Sequence, residues 1–243
     1  MIYQGRPGQV IYGAPIGILL MESSIPFIPG DVGNATTYPF PVVYQVIPGL
    51  TTLRMFSKDE TAFEALYESA SLLQKQGVKA ITGDCGYMAL FQDRLARVMD
   101  VPVFLSSLLQ VPFILKCLSP DKKVGILCAN GKALTGELLE IAGITDPSKV
   151  AIYGMENHPH FYEVIYEETC VLDSERMTAE ILAGAKTLLE QNPDVRAILM
   201  ECSDMPPYSS AVQKATGLPV FDFITMIRHV HSGVAQVPYS GSL

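Results

Sequence analysis

Tryptophan is absent from the 243 residues, and charge is sparse: 17% of residues are Asp, Glu, Lys or Arg, against 49% apolar. Basic residues are the scarcer sign, 17 against 25 acidic, giving a net charge of −8. No cluster of Lys and Arg occurs anywhere, which argues against a nucleic-acid partner or an anionic-membrane surface. No apolar run reaches the ~18 residues needed to span a bilayer. The greasiest stretch, Val101 to Leu118, is broken by Pro102, Gln110, Pro112 and Lys116. The opening residues, Met1 to Pro7, lack the charged-then-apolar order of a signal peptide, so a soluble cytoplasmic protein is expected. Cysteine is scarce, odd in number and widely spaced: Cys85, Cys117, Cys128, Cys170 and Cys202. That pattern argues for free thiols rather than a disulfide framework.

Signature motifs are missing too. No G-x-G-x-x-G stands between a strand and a helix, so a dinucleotide site is not expected. There is no P-loop and no G-x-S-x-G elbow, which sets aside the commonest nucleotide and serine-hydrolase chemistries. His158-Pro159-His160 and His229-Val230-His231 lack the i, i+4 spacing of a zinc pair, and no cysteine has ligand spacing to either. They read as surface or loop histidines, with no metal expected and no organic cofactor required.

What is present is a phrase written twice. Val78-Lys79-Ala80-Ile81-Thr82-Gly83-Asp84-Cys85-Gly86 returns as Val195-Arg196-Ala197-Ile198-Leu199-Met200-Glu201-Cys202-Ser203. Seventeen residues beyond each cysteine stands a proline, in Val101-Pro102-Val103-Phe104 and Leu218-Pro219-Val220-Phe221. Upstream, Gly17-Ile18-Leu19 recurs as Gly125-Ile126-Leu127. Two halves with one element order explain this most simply.

Apolar runs alternate with helical patterns. Ala14–Met21 and Pro41–Ile47 read as strands, and Asp59–Gln76 as a helix closed by Gly77. The first cysteine strand follows, then a helix from about Tyr87 to Met99, a short strand at Val103-Phe104 and a helix to about Leu118. The second half repeats the plan: strand Lys123–Leu127, helix Lys132–Ala142, strand Lys149–Tyr153 and helix Asp173–Gln191. The second cysteine strand ends at Cys202; a helix begins at Pro206-Pro207, and a last one runs from Ile224 to Ser232. The expected fold class is α/β: two similar Rossmann-like lobes with parallel sheets, related by a pseudo-twofold axis, with the active site in the cleft between them. Residues 1–118 with 224–243 form the lobe carrying Cys85, and residues 119–223 the lobe carrying Cys202. The long Pro/Gly/Asn/Thr-rich loop from Glu22 to Tyr38 is expected to line a site.

Ligands of such sheets bind beyond the carboxyl ends of the strands, where both cysteines fall. A helix starting just after a cysteine favours its thiolate, whereas a nearby carboxylate opposes it. Side chains alternate across a strand, so Asp84 and Glu201 are expected to turn away and hydrogen-bond loops. One thiolate and one thiol on opposite faces of a carbon make a base and an acid. A cysteine at a strand end is ordinarily an inert, buried small residue. Two at repeat-related positions, each preceded by an acid, favour chemistry, while Cys117, Cys128 and Cys170 read as inert.

These features resemble the aspartate/glutamate/hydantoin racemase superfamily, over about Gly13 to Val234. It also holds maleate isomerase and arylmalonate decarboxylase. Leu73-Gln74-Lys75-Gln76-Gly77 looks like the decarboxylase branch, which lacks the first cysteine present here. The resemblance implies no cofactor, with Cys85 and Cys202 as the paired acid and base. It implies a small-molecule carboxylate held by Gly86, Tyr87 and Ser203 of the cysteine loops, by Asn130 and Gly131, and by Asn34 of the early loop. Gly86-Tyr87 and Ser203-Asp204 depart from the Asn-Thr and Thr that many members carry there, so the substrate is the open question. No Arg or Lys stands in these loops to meet a second substrate carboxylate, which leaves Arg6 or Arg54 as the residues that could reach in. The expected activity is racemisation or epimerisation of an amino acid or related carbon acid. The alternatives are decarboxylation, cis–trans isomerisation and a two-lobed binding protein without turnover. A homo-oligomer is compatible with all of them.

Overall fold

The computed structural model describes residues 1–241. Its first sheet consists of β1 (Ile16–Leu20), β2 (Val42–Val46), β3 (Ala80–Gly83) and β4 (Val103–Phe104), all parallel, in the order β2-β1-β3-β4. The second consists of β5 (Lys123–Cys128), β6 (Val150–Gly154), β7 (Val195–Met200) and β8 (Val220–Phe221), in the matching order β6-β5-β7-β8 and again parallel. The lobes are thus two copies of one α/β plan. β3 and β7 occupy equivalent inner positions, and each leads directly into its acid–cysteine pair.

The repeated glycine phrase has a packing cause. In β1 a Cβ on Gly17 would stand 3.0 Å from Leu73 Cδ1, a residue of the crossover helix Phe63–Lys75. In β5 a Cβ on Gly125 would stand 2.8 Å from Leu188 Cδ2, in the crossover helix Ser174–Gln191. Each lobe therefore removes a side chain from its central strand so that a helix leucine can seat there. Leu66, Ala70 and Leu73 lie on one stripe of the first helix and are all fully buried. Gly77, at φ +84°, ends that helix in the left-handed region. Asp173 starts the other by accepting from the amides of Glu175 (3.0 Å) and Arg176 (3.1 Å).

The last helix, Phe223–Val234, returns to the first sheet. Phe223, Ile227 and Val230 bury against Ile16, Ile18 and Ala80. Asp222 and Thr225 close it with a capping box. Among the described residues no helix is long and apolar enough to cross a membrane.

Three expectations change. The helix expected from Tyr87 to Met99 is a 3-10 stretch, Gly86–Phe91, followed by a short α-helix, Gln92–Ala96. Gly86, Tyr87, Met88, Ala89 and Phe91 are all buried, so the segment has no solvent face to shape an amphipathic helix. The helix expected over Lys132–Ala142 shortens to Gly136–Ile141, because the Asn130 carboxamide accepts from the amides of Lys132 and Ala133 and holds a turn. A short helix, Pro159–Ile165, occupies a stretch the periodicity left unassigned. It corrects the reading of the histidines. His160 is buried, paired with Glu163 at 3.0 Å and accepting from the Asp173 amide at 2.9 Å, a fixture of the second lobe.

Candidate active site

Cys85 and Cys202 face one narrow cavity between the carboxyl ends of the two sheets, each about 7% exposed. Phe56, Tyr87 and Ile165 close its sides. The space left is about 20 Å³, room for roughly one water. The lobes are closed over it. The Tyr87 hydroxyl of the first lobe donates to the Asn130 carbonyl of the second at 2.7 Å and accepts from its amide at 2.8 Å. Glu168 of the second lobe accepts from the Ser24 amide at 2.8 Å and from Thr52 Oγ1 at 3.4 Å in the first.

The acid before each cysteine does the same job in each lobe. The Asp84 carboxyl accepts from the Met21 amide, at 3.0 and 3.2 Å, just past the end of β1. Glu201 Oε2 accepts from the Ala129 amide at 3.2 Å, just past the end of β5. Both tie a cysteine loop to the neighbouring strand's exit. Burial raises both acids to about 8, more than their single amide bonds can offset. Glu201 Oε1 has no hydrogen-bond partner among the described residues. It lies over Gly86, where an added Cβ would stand 2.0 Å from it. Gly86→Ala is therefore expected to destabilise the protein by ~1–3 kcal/mol, as overpacking does, and to lower its melting temperature. An unchanged melting temperature would show that this contact yields freely.

The thiols correct the expectation of helix-favoured thiolates. No α-helix begins at either cysteine; a 3-10 segment follows Cys85, and the helix after Cys202 starts at Ser209. Burial, then the charges of Glu201 and Asp84, push the Cys85 thiol well up. Burial, then Asp204 and Glu201, do the same to Cys202. In each loop the amide two residues on, of Tyr87 or Asp204, opposes the shift without cancelling it.

The lobes differ at one decisive point. Cys202 Sγ donates to Asp204 Oδ2 at 3.3 Å. The position two residues past Cys85 is Tyr87, whose hydroxyl is engaged by the Asn130 peptide. One thiol has a carboxylate ready to take its proton; the other does not.

Asp204 has a second neighbour. Asp31, from the early loop, accepts from the Gly33 amide at 2.7 Å and turns its carboxyl to Asp204. Asp204 Oδ1 meets no donor among the described residues. Burial, then the Asp204 charge, raise Asp31 well above the carboxylate range. Burial raises Asp204 as well, against the pull of its bonds from Cys202 and Asp31.

Of the residues expected at the site, Cys85, Gly86, Tyr87, Cys202 and Ser203 line the cavity. Asn34, Asn130 and Gly131 do not. The Asn34 side chain closes its own loop, accepting from Thr36 and donating to the Phe27 carbonyl. The Asn130 side chain caps a turn, and the Gly131 amide donates to Glu156 at 3.1 Å. The early loop does reach the site, but through Asp31. The signal for Asp204 in the sequence is one difference among several between the copies, an acid standing where the first copy has Tyr87. Phe56, Ile165 and Tyr208 carried no such signal.

No protein-family model matches the chain. It is 34% identical over 247 residues to dimethylsulfoniopropionate lyase 5 of Emiliania huxleyi (strain CCMP1516), a match that takes in 93% of this chain and 46% of that protein. The chain thus spans about half the length of that relative. It is 35% identical over 237 residues to dimethylsulfoniopropionate lyase 7 of the same organism, covering 93% of this chain and 69% of the relative. It is 32% identical over 237 residues to the dimethylsulfoniopropionate lyase of Durusdinium sp. clade D, covering 94% and 77%. Among solved structures it resembles an allantoin racemase from Klebsiella pneumoniae (TM-score 0.61, 14% identity, 94% of this chain and 96% of that one). It also resembles an arylmalonate decarboxylase (TM-score 0.58, 15% identity, 93% and 94%). The fold is that of the aspartate/glutamate/hydantoin racemase superfamily.

Proposed function

The chain belongs to the dimethylsulfoniopropionate lyase family, and we propose that it catalyses β-elimination on dimethylsulfoniopropionate, releasing dimethyl sulfide and acrylate. The observation that carries this reading is the asymmetry of the two thiols. Racemisation requires a base on each face of the carbon, because either hand must be deprotonated. Elimination requires one. Cys202 has Asp204 at 3.3 Å as a proton acceptor, and Cys85 has no equivalent. The isomerase expected from the repeat thus gives way to a lyase, in keeping with the names its relatives carry.

Cys202 passes its proton to Asp204, and the thiolate removes a proton from C2 of the substrate. The freed electron pair forms the C2=C3 double bond as the C3–S bond breaks. The sulfonium departs with that bond's pair as neutral dimethyl sulfide, so no general acid is needed at the leaving group. One proton passes to solvent per turnover. The incoming cation itself assists, since a positive charge brought into a water-poor cleft lowers the pKa of the groups facing it. The Cys85 thiol, protonated, approaches from the other lobe and donates to the substrate carboxylate as it gains enolate character. Among the described residues no Lys, Arg or His lines the cavity, which suits one carboxylate and a cation better than the two carboxylates of aspartate or glutamate. A space of about 20 Å³ is far too small for the substrate, so the Tyr87–Asn130 and Glu168–Ser24 contacts open and reclose in each turnover.

The direct test is incubation with dimethylsulfoniopropionate, with headspace dimethyl sulfide and dissolved acrylate both quantified. The expected result is equimolar release of the two. Absence of both from folded protein would overturn the reading.

A further inference from the structure

We infer that Asp31, Asp204 and Tyr208 form a subsite for the onium head of the substrate, with apolar walls that take its S-methyl groups. The inference rests on the elimination reading above and identifies where its charged leaving group sits. A second small cavity adjoins the thiol cavity, sharing Asp204 and Ile165 with it. Asp31, Asp204 and Tyr208 are its polar lining; Ile28, Ile165 and Leu172 are among its apolar walls. Among the described residues no Lys, Arg or His lines either cavity. The Tyr208 hydroxyl, in a residue only 5% exposed, has no hydrogen-bond partner among the described residues.

The early loop is built to deliver Asp31 here. Gly30, at φ +104°, lets it lie against the second lobe, where a Cβ would stand 2.9 Å from Pro207 Cα. The hydroxyls of Tyr38 and Tyr44 both donate to the Val32 carbonyl, at 3.0 and 3.2 Å, and fix the next residue. The placement also fits the reaction. Cys202 must reach C2, and the sulfonium sulfur is two bonds further on. Asp204, within 3.3 Å of Cys202 Sγ, lines both cavities and so lies on the path from the thiol to the subsite.

The chemistry of the pocket selects among cations. A sulfonium has no N–H or O–H and cannot donate a hydrogen bond. It is recognised by charge and apolar contact, as quaternary onium groups generally are. Asp31 and Asp204 sit behind apolar walls, with no Lys, Arg or His of the described residues in the lining to neutralise them. A primary ammonium would bring three donors into that space and lose their hydration.

The test is a binding series on the whole protein with three ligands: 3-(trimethylammonio)propanoate, its isostere with a neutral head, 4,4-dimethylpentanoate, and the smaller primary ammonium 3-aminopropanoate. Wild type is expected to bind the quaternary cation about tenfold or more tighter than either of the others. The double variant Asp31→Asn with Asp204→Asn, which removes both carboxyls, should reduce that preference to within about threefold while leaving the neutral isostere's affinity unchanged, which also certifies the variant's fold. If the double variant does not fold, the three wild-type affinities decide alone. Equal binding of the cation and the neutral isostere by wild type overturns the subsite, as does equal weakening of both in the double variant. Turnover of dimethylsulfoniopropionate by wild type is scored in parallel. Acrylate release without onium preference sinks the subsite and leaves elimination standing; onium preference without acrylate release does the reverse.

Discussion

Replacing Cys202 by alanine is expected to lower kcat/KM for dimethyl sulfide release by about 10³-fold or more, the scale on which a lost general base acts. Cys85→Ala is expected to lose less, about 10–10²-fold, because it forfeits one hydrogen bond to the developing enolate and no proton transfer. Asp204→Asn should fall between them. Its amide keeps an oxygen for the Cys202 thiol but cannot carry the proton away, so the loss should appear in kcat more than in KM. The asymmetry is the content of this prediction. In a two-base racemase the cysteines are interchangeable by function, and their alanine variants fall together. Here they occupy equivalent places in two copies of one fold, and only one has a carboxylate at 3.3 Å. Steady-state kinetics of the three variants, with circular dichroism to confirm folding, decide the matter. Equal losses in both cysteine variants would refute a single base.

The second large effect is on stability against pH. Asp84 and Glu201 are each raised to about 8 by burial, from ordinary values of 3.8 and 4.5. The folded protein therefore binds their protons more tightly than the unfolded chain does. Their contribution is complete below about pH 4 and is lost progressively as pH rises to about 8. At ~1.4 kcal/mol per pKa unit the loss is on the order of a few kcal/mol for each group. Asp59, Asp121, Asp146, Glu163 and Asp173 are held low by hydrogen bonds and favour the opposite slope, but all five lie at the surface, where water screens them, and weigh little. The wild-type melting temperature should thus fall between pH 5 and pH 8, at roughly 2–4 °C per kcal/mol for a chain of this size. Glu201→Gln keeps an acceptor for the Ala129 amide and removes the titration. It should flatten the profile and melt higher than wild type at pH 8. Asp84→Asn should do the same through the Met21 amide. Thermal unfolding followed across that range checks both; parallel profiles for wild type and variants would contradict the burial of these acids in neutral form.

Much of the fold was legible because it repeats and because its causes are local. Buried parallel strands write themselves as unbroken apolar runs, and Ile16–Leu20 and Val195–Met200 do so. Gly17 and Gly125 marked equivalent strands because each makes room for a helix leucine. The cysteines were visible as a pair for the same reason. What the sequence concealed lies in contacts between distant segments. Asp31 and Asp204 are 173 residues apart, and nothing local to either announces the other. The early loop was expected to line a site; the Asn34 side chain chosen within it is engaged by its own turn, a local bond the sequence does not announce. The proposed reaction class rests on a difference between the repeats, Tyr87 against Asp204, whereas reading the repeat for likeness led to a symmetric racemase.

One measurement addresses elimination most directly. The protein is incubated in D₂O with dimethylsulfoniopropionate in one series, and with single enantiomers of aspartate, glutamate, allantoin and small hydroxy acids in another, all followed by NMR and mass spectrometry. Elimination through a single base predicts acrylate and dimethyl sulfide in the first series and no deuterium at the α-carbon of any chiral acid in the second. Deuterium entering a chiral acid with loss of optical purity, and no acrylate from dimethylsulfoniopropionate, would contradict it.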